Sequence, residues 1–285
     1  MRYALVNPVR NEAENLPRLA ESVLQQTLPA TRWIIVDDSS EDATLEIANA
    51  LAAEHPWITV VSRTGGGALA RGGPVVRSFH AGLDALDEDV DVVVKLDADV
   101  TLAPDCMERL ADAFGKDPRL GIASGTCFDE AAGRDLFPTG DHVWGMARAY
   151  RSGCLADVLP LEERMGWDGV DEFKAHVFGW RTGVVDEARF CHHRQEGERD
   201  GSRWVAWERQ GDVAWFMCYR PLYLVARAAY QGVREPAAVG MVVGYVRAAL
   251  RRTPRLSDEA VVDRIRSEQR LRRLPRRFAE VIGRA

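Results

Sequence analysis

The 285-residue chain is 46% hydrophobic and 28% charged with a net charge of −6, the composition of a globular protein large enough for one α/β domain plus an appendage. No apolar run reaches the roughly 18–20 uncharged residues that a membrane-spanning helix needs, and Met1 runs into RYALV without a signal-type stretch, so a cytoplasmic protein is expected. The five cysteines are scattered without CxxC spacing, which argues against a disulfide framework or a zinc site, and the −13 carried by residues 1–246 argues against nucleic acid as a partner.

In chain order, YALVNP reads as a strand and AENLPRLAESVLQQT as a helix with Leu16, Leu19 and Val23 on one face. TRWIIVDD is a second strand. SSEDATLEIANALAAE follows as a helix, with Ser39 and Asp42 at the spacing of a capping box. WITVVSR is a third strand, then come a glycine-rich loop and the helix VVRSFHAGLDAL, and VDVVVKL is a fourth strand. Continuous β-branched runs separated by helices predict parallel strands buried on both faces, a Rossmann-like half-sheet. Beyond it, LGIASGTCF reads as a strand, VWGMARAYR as a helix within a mixed segment 129–166, DGVDEFKAHVF as a helix and WRTGVVDEARFCHHR as a strand or hairpin. From about residue 204 the pattern is helical: AWFMCYRPLYLVARAAY, AAVGMVVGYVRAAL and DEAVVDRIRSEQRLRRL.

In open α/β sheets ligands gather at the carboxyl ends of the strands. Here those ends read NPVRNEAEN, DDSSED, TGGGALARGG and DAD, without a GxGxxG fingerprint or a GxxxxGK[ST] loop. A nucleotide bound there would rely on side chains, with Asp37 or Asp38 accepting from a base N–H or ribose hydroxyl and Arg71 and Arg77 meeting base or diphosphate. In KLDADV, Asp97 and Asp99 lie one residue apart at the end of a buried strand, where like charges repel and desolvation is costly. Two carboxylates converging there suit a hard divalent cation, Mg²⁺ or Mn²⁺, that bridges the phosphates of a nucleotide.

PVRNEAENL, VDDSSEDAT, KLDADV and GWDGVDEFKAHVFGW together resemble family 2 glycosyltransferases of the GT-A fold, over roughly residues 1–195. The resemblance implies a GT-A catalytic domain, a nucleotide-diphospho-sugar donor, a divalent metal and inversion at the anomeric carbon. By match, Pro8, Glu12, Asp37 and Asp38 hold the nucleoside, Asp97 the ribose or metal, and Asp99 the metal. Ten residues lie between Trp167-Asp168 and Gly179-Trp180, the spacing at which the family carries its base, so the resemblance makes Asp168 the general base, with Asp171 or Glu172 in reserve. Trp167 stands where the family often has Glu, and His80 where many relatives carry Asn. In CHHR, a histidine resembles the third metal ligand of several GT-A enzymes. Adjacent strand residues point opposite ways, so one of the two ligates, and His193 is preferred over His192.

The acceptor is a hydroxyl of a glycolipid, a polyprenol-linked molecule or a natural-product scaffold, with segment 129–166 shaping its pocket and Trp144 and Trp167 offering flat faces. Residues 196–285 form a helical extension for acceptor, membrane-surface or dimer contacts; from Arg247 onward twelve arginines face five acids. Two other readings remain at this level: a sugar-phosphate nucleotidyltransferase, and a non-catalytic nucleotide-sugar-binding protein.

Overall fold

The computed structural model describes residues 1–64, 72–136, 142–194, 202–233 and 235–270. The chain divides into two compact units, Met1–Arg194 and Gln195–Ala285.

The first unit begins with four strands, β1 (Tyr3–Val9), β2 (Arg32–Asp38), β3 (Ile58–Arg63) and β4 (Val92–Leu96), separated by helices α1 (Leu16–Leu24), α2 (Thr44–Glu54) and α3 (Gly73–Asp84). The strands are parallel in the order β3-β2-β1-β4. Successive side chains alternate across the sheet: Leu5, Trp33, Ile35 and Val94 pack on α1, whereas Val6, Ile34, Val36 and Val93 pack with Val76 and Phe79 of α3. Both faces are therefore covered, which is why these strands read as unbroken apolar runs. Because β2 and β3 lie on one side of β1 and β4 on the other, the strand order reverses between β1 and β4. In such sheets ligands bind at the carboxyl ends of the strands where the order reverses.

Strands β5 (Val100–Leu102), β6 (Leu120–Asp129), β7 (Arg134–Leu136), β8 (Ala147–Arg151) and β9 (Arg181–His192) extend the sheet, interleaved with helices α4 (Cys106–Lys116), α5 (Ser152–Val158) and α6 (Trp167–Val177). Among the described residues the path is β3-β2-β1-β4-β8-β6-β9-β5, with β7 paired to β6. Strand β8 runs antiparallel to β4 and β6, and β9 parallel to β6.

Two sequence expectations are corrected in this unit. VWGMARAYR is not a helix: Ala147–Arg151 is a buried strand between β4 and β6, and its small alanines hid the alternation. The capping box at Ser39 and Asp42 does not form. Ser39 sits at φ 60° and donates to the Arg63 carbonyl, while Asp42 accepts from Thr44, the first residue of α2.

The second unit contains α7 (Arg203–Phe216), α8 (Pro221–Gly232), a short 3₁₀ turn (Pro236–Val239), α9 (Gly240–Leu250) and α10 (Glu259–Glu268). AWFMCYRPLYLVARAAY is two helices rather than one. Cys218 adopts φ 58° and Pro221 opens α8, so the helical ladder cannot continue through them. Helices α7 and α9 cross closely at Gly211 and Gly244, where an added Cβ would lie 2.1 Å from the Met241 carbonyl and 1.9 Å from the Glu208 carbonyl respectively. Residues 271–285, with much of the arginine-rich tail, lie outside the described residues.

Candidate active site

The carboxyl ends of β1 and β4 bring Glu12, Asp97 and Asp99 together. After β1 the chain turns at Asn11 (φ 53°), whose amide donates to Ser40 Oγ at 3.0 Å and whose Oδ1 accepts from the Glu41 amide at 2.8 Å. This turn directs Glu12 inward, where its amide donates to Thr44 Oγ1 at 2.8 Å and its side chain is buried. Pro8 lies half-buried on β1, three residues before Asn11. Asp37 and Asp38 close β2 and are both buried. Asp38 pairs with Arg63 at 3.2 Å; Asp37 Oδ2 accepts from the Ser40 amide at 3.3 Å. Asp37 Oδ1 is buried with no hydrogen-bond partner among the described residues, an arrangement that leaves an acceptor for a base N–H or a ribose hydroxyl.

Each acid of the DAD turn has a cation of the chain beside it. Asp97 is held by Lys95 Nζ, which also donates to the Gly145 carbonyl at 2.9 Å. Asp99 Oδ2 lies 3.1 Å from Arg194 Nη1, and the same guanidinium grips Glu12 at 3.1 and 2.7 Å. Arg194 thus stands between the first and fourth strand ends as a shared counter-ion. Burial pushes the Asp97 carboxyl up, with the charge of Lys95 opposing it.

The two histidines part as the strand pleat requires. His192, opposite Val100 in the β5–β9 pair, points its Nε2 at Asp99 Oδ2 from 3.8 Å. Burial alone would push its imidazole down; the pairing with Asp99 and the charges of Asp99 and Asp97 hold it above the usual range. His193 turns the other way, with Nε2 2.9 Å from Thr101 Oγ1 and Nδ1 2.8 Å from Glu130 Oε2. The geometry therefore sets His192, rather than the preferred His193, beside the paired acids. Two carboxylates and an imidazole are a donor set suited to Mg²⁺ or Mn²⁺. Among the described residues no three such groups already surround one point, and Lys95 and Arg194 occupy the acids' near sides.

The three acids of α6 have separate surroundings. Asp171 is 1% exposed, bound by Arg148 Nε and Nη2 at 3.0 and 2.6 Å and by the Tyr150 hydroxyl at 2.5 Å. Burial raises its carboxyl to about 7, against the pull of Arg148. Glu172 is buried too, accepting from the Val143 amide, Arg148 and His142 at 2.8, 3.0 and 2.8 Å. Both reserve candidates for the base are thus enclosed by protein donors. Asp168, in the first turn of α6, is half-exposed. Its Oδ2 lies 3.1 Å from where a Cβ on Gly145 would stand, so the missing side chain at Gly145 leaves this carboxylate its place. Gly145 also accepts from Lys95, so one residue separates Asp168 from the Lys95–Asp97 pair.

Arg77 pairs with Glu163 at 3.3 Å, and Arg71 lies outside the described residues. His80 accepts from the Leu161 amide at 3.3 Å, and burial lowers its pKa. Trp167 is 7% exposed with Lys95 and Arg148 over its ring at 5.6 and 5.7 Å, so it packs inside rather than offering a face to a sugar. Sequence reasoning missed Lys95, Gly145, Arg148 and Arg194. The one signal available was a charged residue inside each of two apolar strand segments, VVVKL and ARAYR.

The model of the family described as "Glycosyl transferase family 2" matches residues 5–133, which hold the first four strands and both acids of the DAD turn. Over these residues the chain is similar to that family. An undecaprenyl-phosphate mannosyltransferase of Micrococcus luteus is 36% identical over 113 residues, 40% of this chain and 44% of that protein. A polyprenol monophosphomannose synthase of Mycolicibacterium smegmatis is 34% identical over 125 residues, 43% of this chain and 44% of that protein. The chain thus spans less than half the length of these curated relatives. Among solved structures, a mannosyltransferase of Pyrobaculum calidifontis in complex with GDP-Man and Mn²⁺ superposes with a TM-score of 0.60 at 16% identity, covering 98% of this chain and 84% of that one. S. aureus TarS 1–349 in complex with UDP-GlcNAc gives 0.60 at 19% identity, covering 75% and 65%. The fold is GT-A, as the strand-end motifs implied.

Proposed function

We propose that the protein is an inverting, metal-dependent glycosyltransferase that moves a sugar from a nucleotide-diphospho-sugar to an acceptor hydroxyl. The observation that carries this reading is the convergence of Glu12, Asp97 and Asp99 at the β1–β4 switch point, with Asp168 one residue away across Gly145. Asp37 takes the nucleoside through its unpartnered Oδ1, with Asp38, Glu12 and Pro8 lining the same strand ends. Asp97, Asp99 and His192 hold Mg²⁺ or Mn²⁺, which when bound supplies charge stabilisation for the departing diphosphate. Asp168 takes the proton of the attacking hydroxyl, a contribution of about 10²–10⁴-fold. Inversion by a single displacement needs one base and no nucleophilic carboxylate. This agrees with the enclosure of Asp171 and Glu172 by Arg148.

The relatives' names favour a second acceptor class, a polyprenyl phosphate. A phosphate monoester, with a second pKa of about 6, is mostly ionised at neutral pH and needs no base. Asp168→Asn separates the two: it retains donor binding and loses transfer to a hydroxyl, but keeps transfer to undecaprenyl phosphate. A thermal-shift screen of UDP-, GDP-, CDP- and TDP-sugars with Mn²⁺ identifies the donor first, since binding stabilises the fold by mass action. No shift with any of them, and no turnover, would overturn the reading.

Among the described residues no helix is long and apolar enough to cross a membrane. A peripheral contact is supported by the exposed Leu222 and Val225 of α8 and the exposed Val246 and Leu250 of α9, near Arg247, Arg251 and Arg252. Flotation with anionic vesicles at low and high salt tests it.

A further inference from the structure

Strands β4 and β8 place Lys95 directly opposite Arg148, and both side chains are buried, at 3% and 0% exposure. Like charges facing each other across a ladder are destabilising, and a buried cation costs free energy unless it is paired. The fold meets this with three devices. Lys95 takes Asp97, Arg148 takes Asp171 and Glu172, and both cations lie over the Trp167 ring at 5.6 and 5.7 Å. Arg148 has two further donations to make. Nη1 donates to the Val143 carbonyl at 2.8 Å and Nη2 to the Asp168 carbonyl at 2.7 Å. Its guanidinium thus fastens the first turn of α6 and the stretch ahead of β8 that includes Gly145, the residue against which the Asp168 carboxylate rests.

We infer that Arg148 is a positioning residue for glycosyl transfer: it touches no substrate, and it fixes the backbone of Asp168 so that the carboxylate beside Gly145 meets the acceptor hydroxyl. This rests on the reading of Asp168 as the base. The planar fork is what the role requires, since one group must reach the Asp171 carboxylate, the Asp168 carbonyl and the Val143 carbonyl together. A lysine at 148 keeps the charge that neutralises Asp171 and Glu172 but cannot span those three acceptors. Asp171 and Glu172 then serve as the counter-charges of the fork, which explains why three acids on one helix have different surroundings.

The test is hydrolysis of nucleotide sugars, with water standing in for the acceptor hydroxyl and release of the nucleoside diphosphate as the signal. The wild type is assayed with UDP-, GDP-, CDP- and TDP-sugars and Mn²⁺, alongside Arg148→Lys, Asp168→Asn and the double variant. The expected result is a kcat for Arg148→Lys lowered about 30- to 100-fold with donor KM within about twofold, the loss expected when only transition-state interactions are removed. In the Asp168→Asn background the same change costs nothing further, because Arg148 acts only through Asp168. A kcat within threefold of wild type overturns the inference, as does an equal further loss in the Asp168→Asn background. Should Arg148→Lys not fold, Arg148→Met with Asp171→Asn replaces it and is judged by the same two readings, since it removes the fork without stranding that carboxylate. The underlying reading fails separately. Wild type that neither hydrolyses any donor nor is thermally stabilised by one removes the transferase assignment, and an active Asp168→Asn removes the base.

Discussion

Arg194 offers the sharpest electrostatic test of the site. Its guanidinium lies 3.1 Å from Asp99 and 2.7 Å from Glu12, on side chains that are 21%, 13% and 6% exposed. At an effective dielectric near 20, unit charges about 4 Å apart interact by about 4 kcal/mol. Partial solvent exposure and side-chain entropy reduce the net value to about 1–3 kcal/mol. A divalent cation that binds Asp99 must displace this guanidinium or bind against its charge. Arg194→Gln should therefore tighten binding of free Mn²⁺, without nucleotide, by about 10- to 100-fold, at about 1.4 kcal/mol per decade. Electron paramagnetic resonance of Mn²⁺ or calorimetry on the nucleotide-free protein measures this directly. The same variant should melt earlier without metal, because Glu12 and Asp99 lose their shared counter-ion. Unchanged or weaker Mn²⁺ binding would refute the reasoning, since the cation would then bind away from Asp99.

Other outcomes follow from the same structure. Asp171 titrates near 7 when folded against about 3.9 in an unfolded chain, so the folded state binds the extra proton and its contribution is lost as pH rises from about 4 through 7. The margin in melting temperature of wild type over Asp171→Asn should shrink between pH 5 and pH 8; a margin that grows would mean an ordinary ionised partner for Arg148. Gly244→Ala places a Cβ 1.9 Å from the Glu208 carbonyl and should destabilise the helical unit by about 1–3 kcal/mol, seen in denaturant titration. Gly115→Ala, at an exposed position of α4, meets nothing within 4 Å and should stabilise by about 0.5–1 kcal/mol; the reverse order of these two would contradict the described packing. Gly145→Ala pushes on Asp168 Oδ2 from 3.1 Å and should lower turnover more than donor binding, read as a split between kcat and KM.

The half-sheet was legible because its strands are buried on both faces and its helices on one, so period and composition agree over residues 3–96. The DAD turn stood out because two acids follow five buried positions, VVVKL. What escaped was set by neighbours distant in sequence. Ala147–Arg151 is a central strand whose polar members, Arg148 and Arg151, are satisfied by α6 and by carbonyls at Phe114, Asp117 and Leu120, partners no local pattern reveals. The different surroundings of Asp168, Asp171 and Glu172 were illegible for the same reason, since one buried guanidinium on another strand sets them apart. His192 and His193 were distinguishable only once the β5–β9 register was known. In the helical unit the break after Phe216 was readable from Pro221, whereas the close crossing at Gly211 and Gly244 depends on two helices meeting.

A crystal grown with Mn²⁺ and the nucleotide sugar selected by thermal shift decides the matter most directly. An anomalous peak within about 2.1–2.3 Å of Asp99, with the diphosphate on its other side and Arg194 withdrawn, is the predicted result. Lys95 and Arg194 still holding both acids, with nucleotide bound elsewhere or not at all, would contradict it.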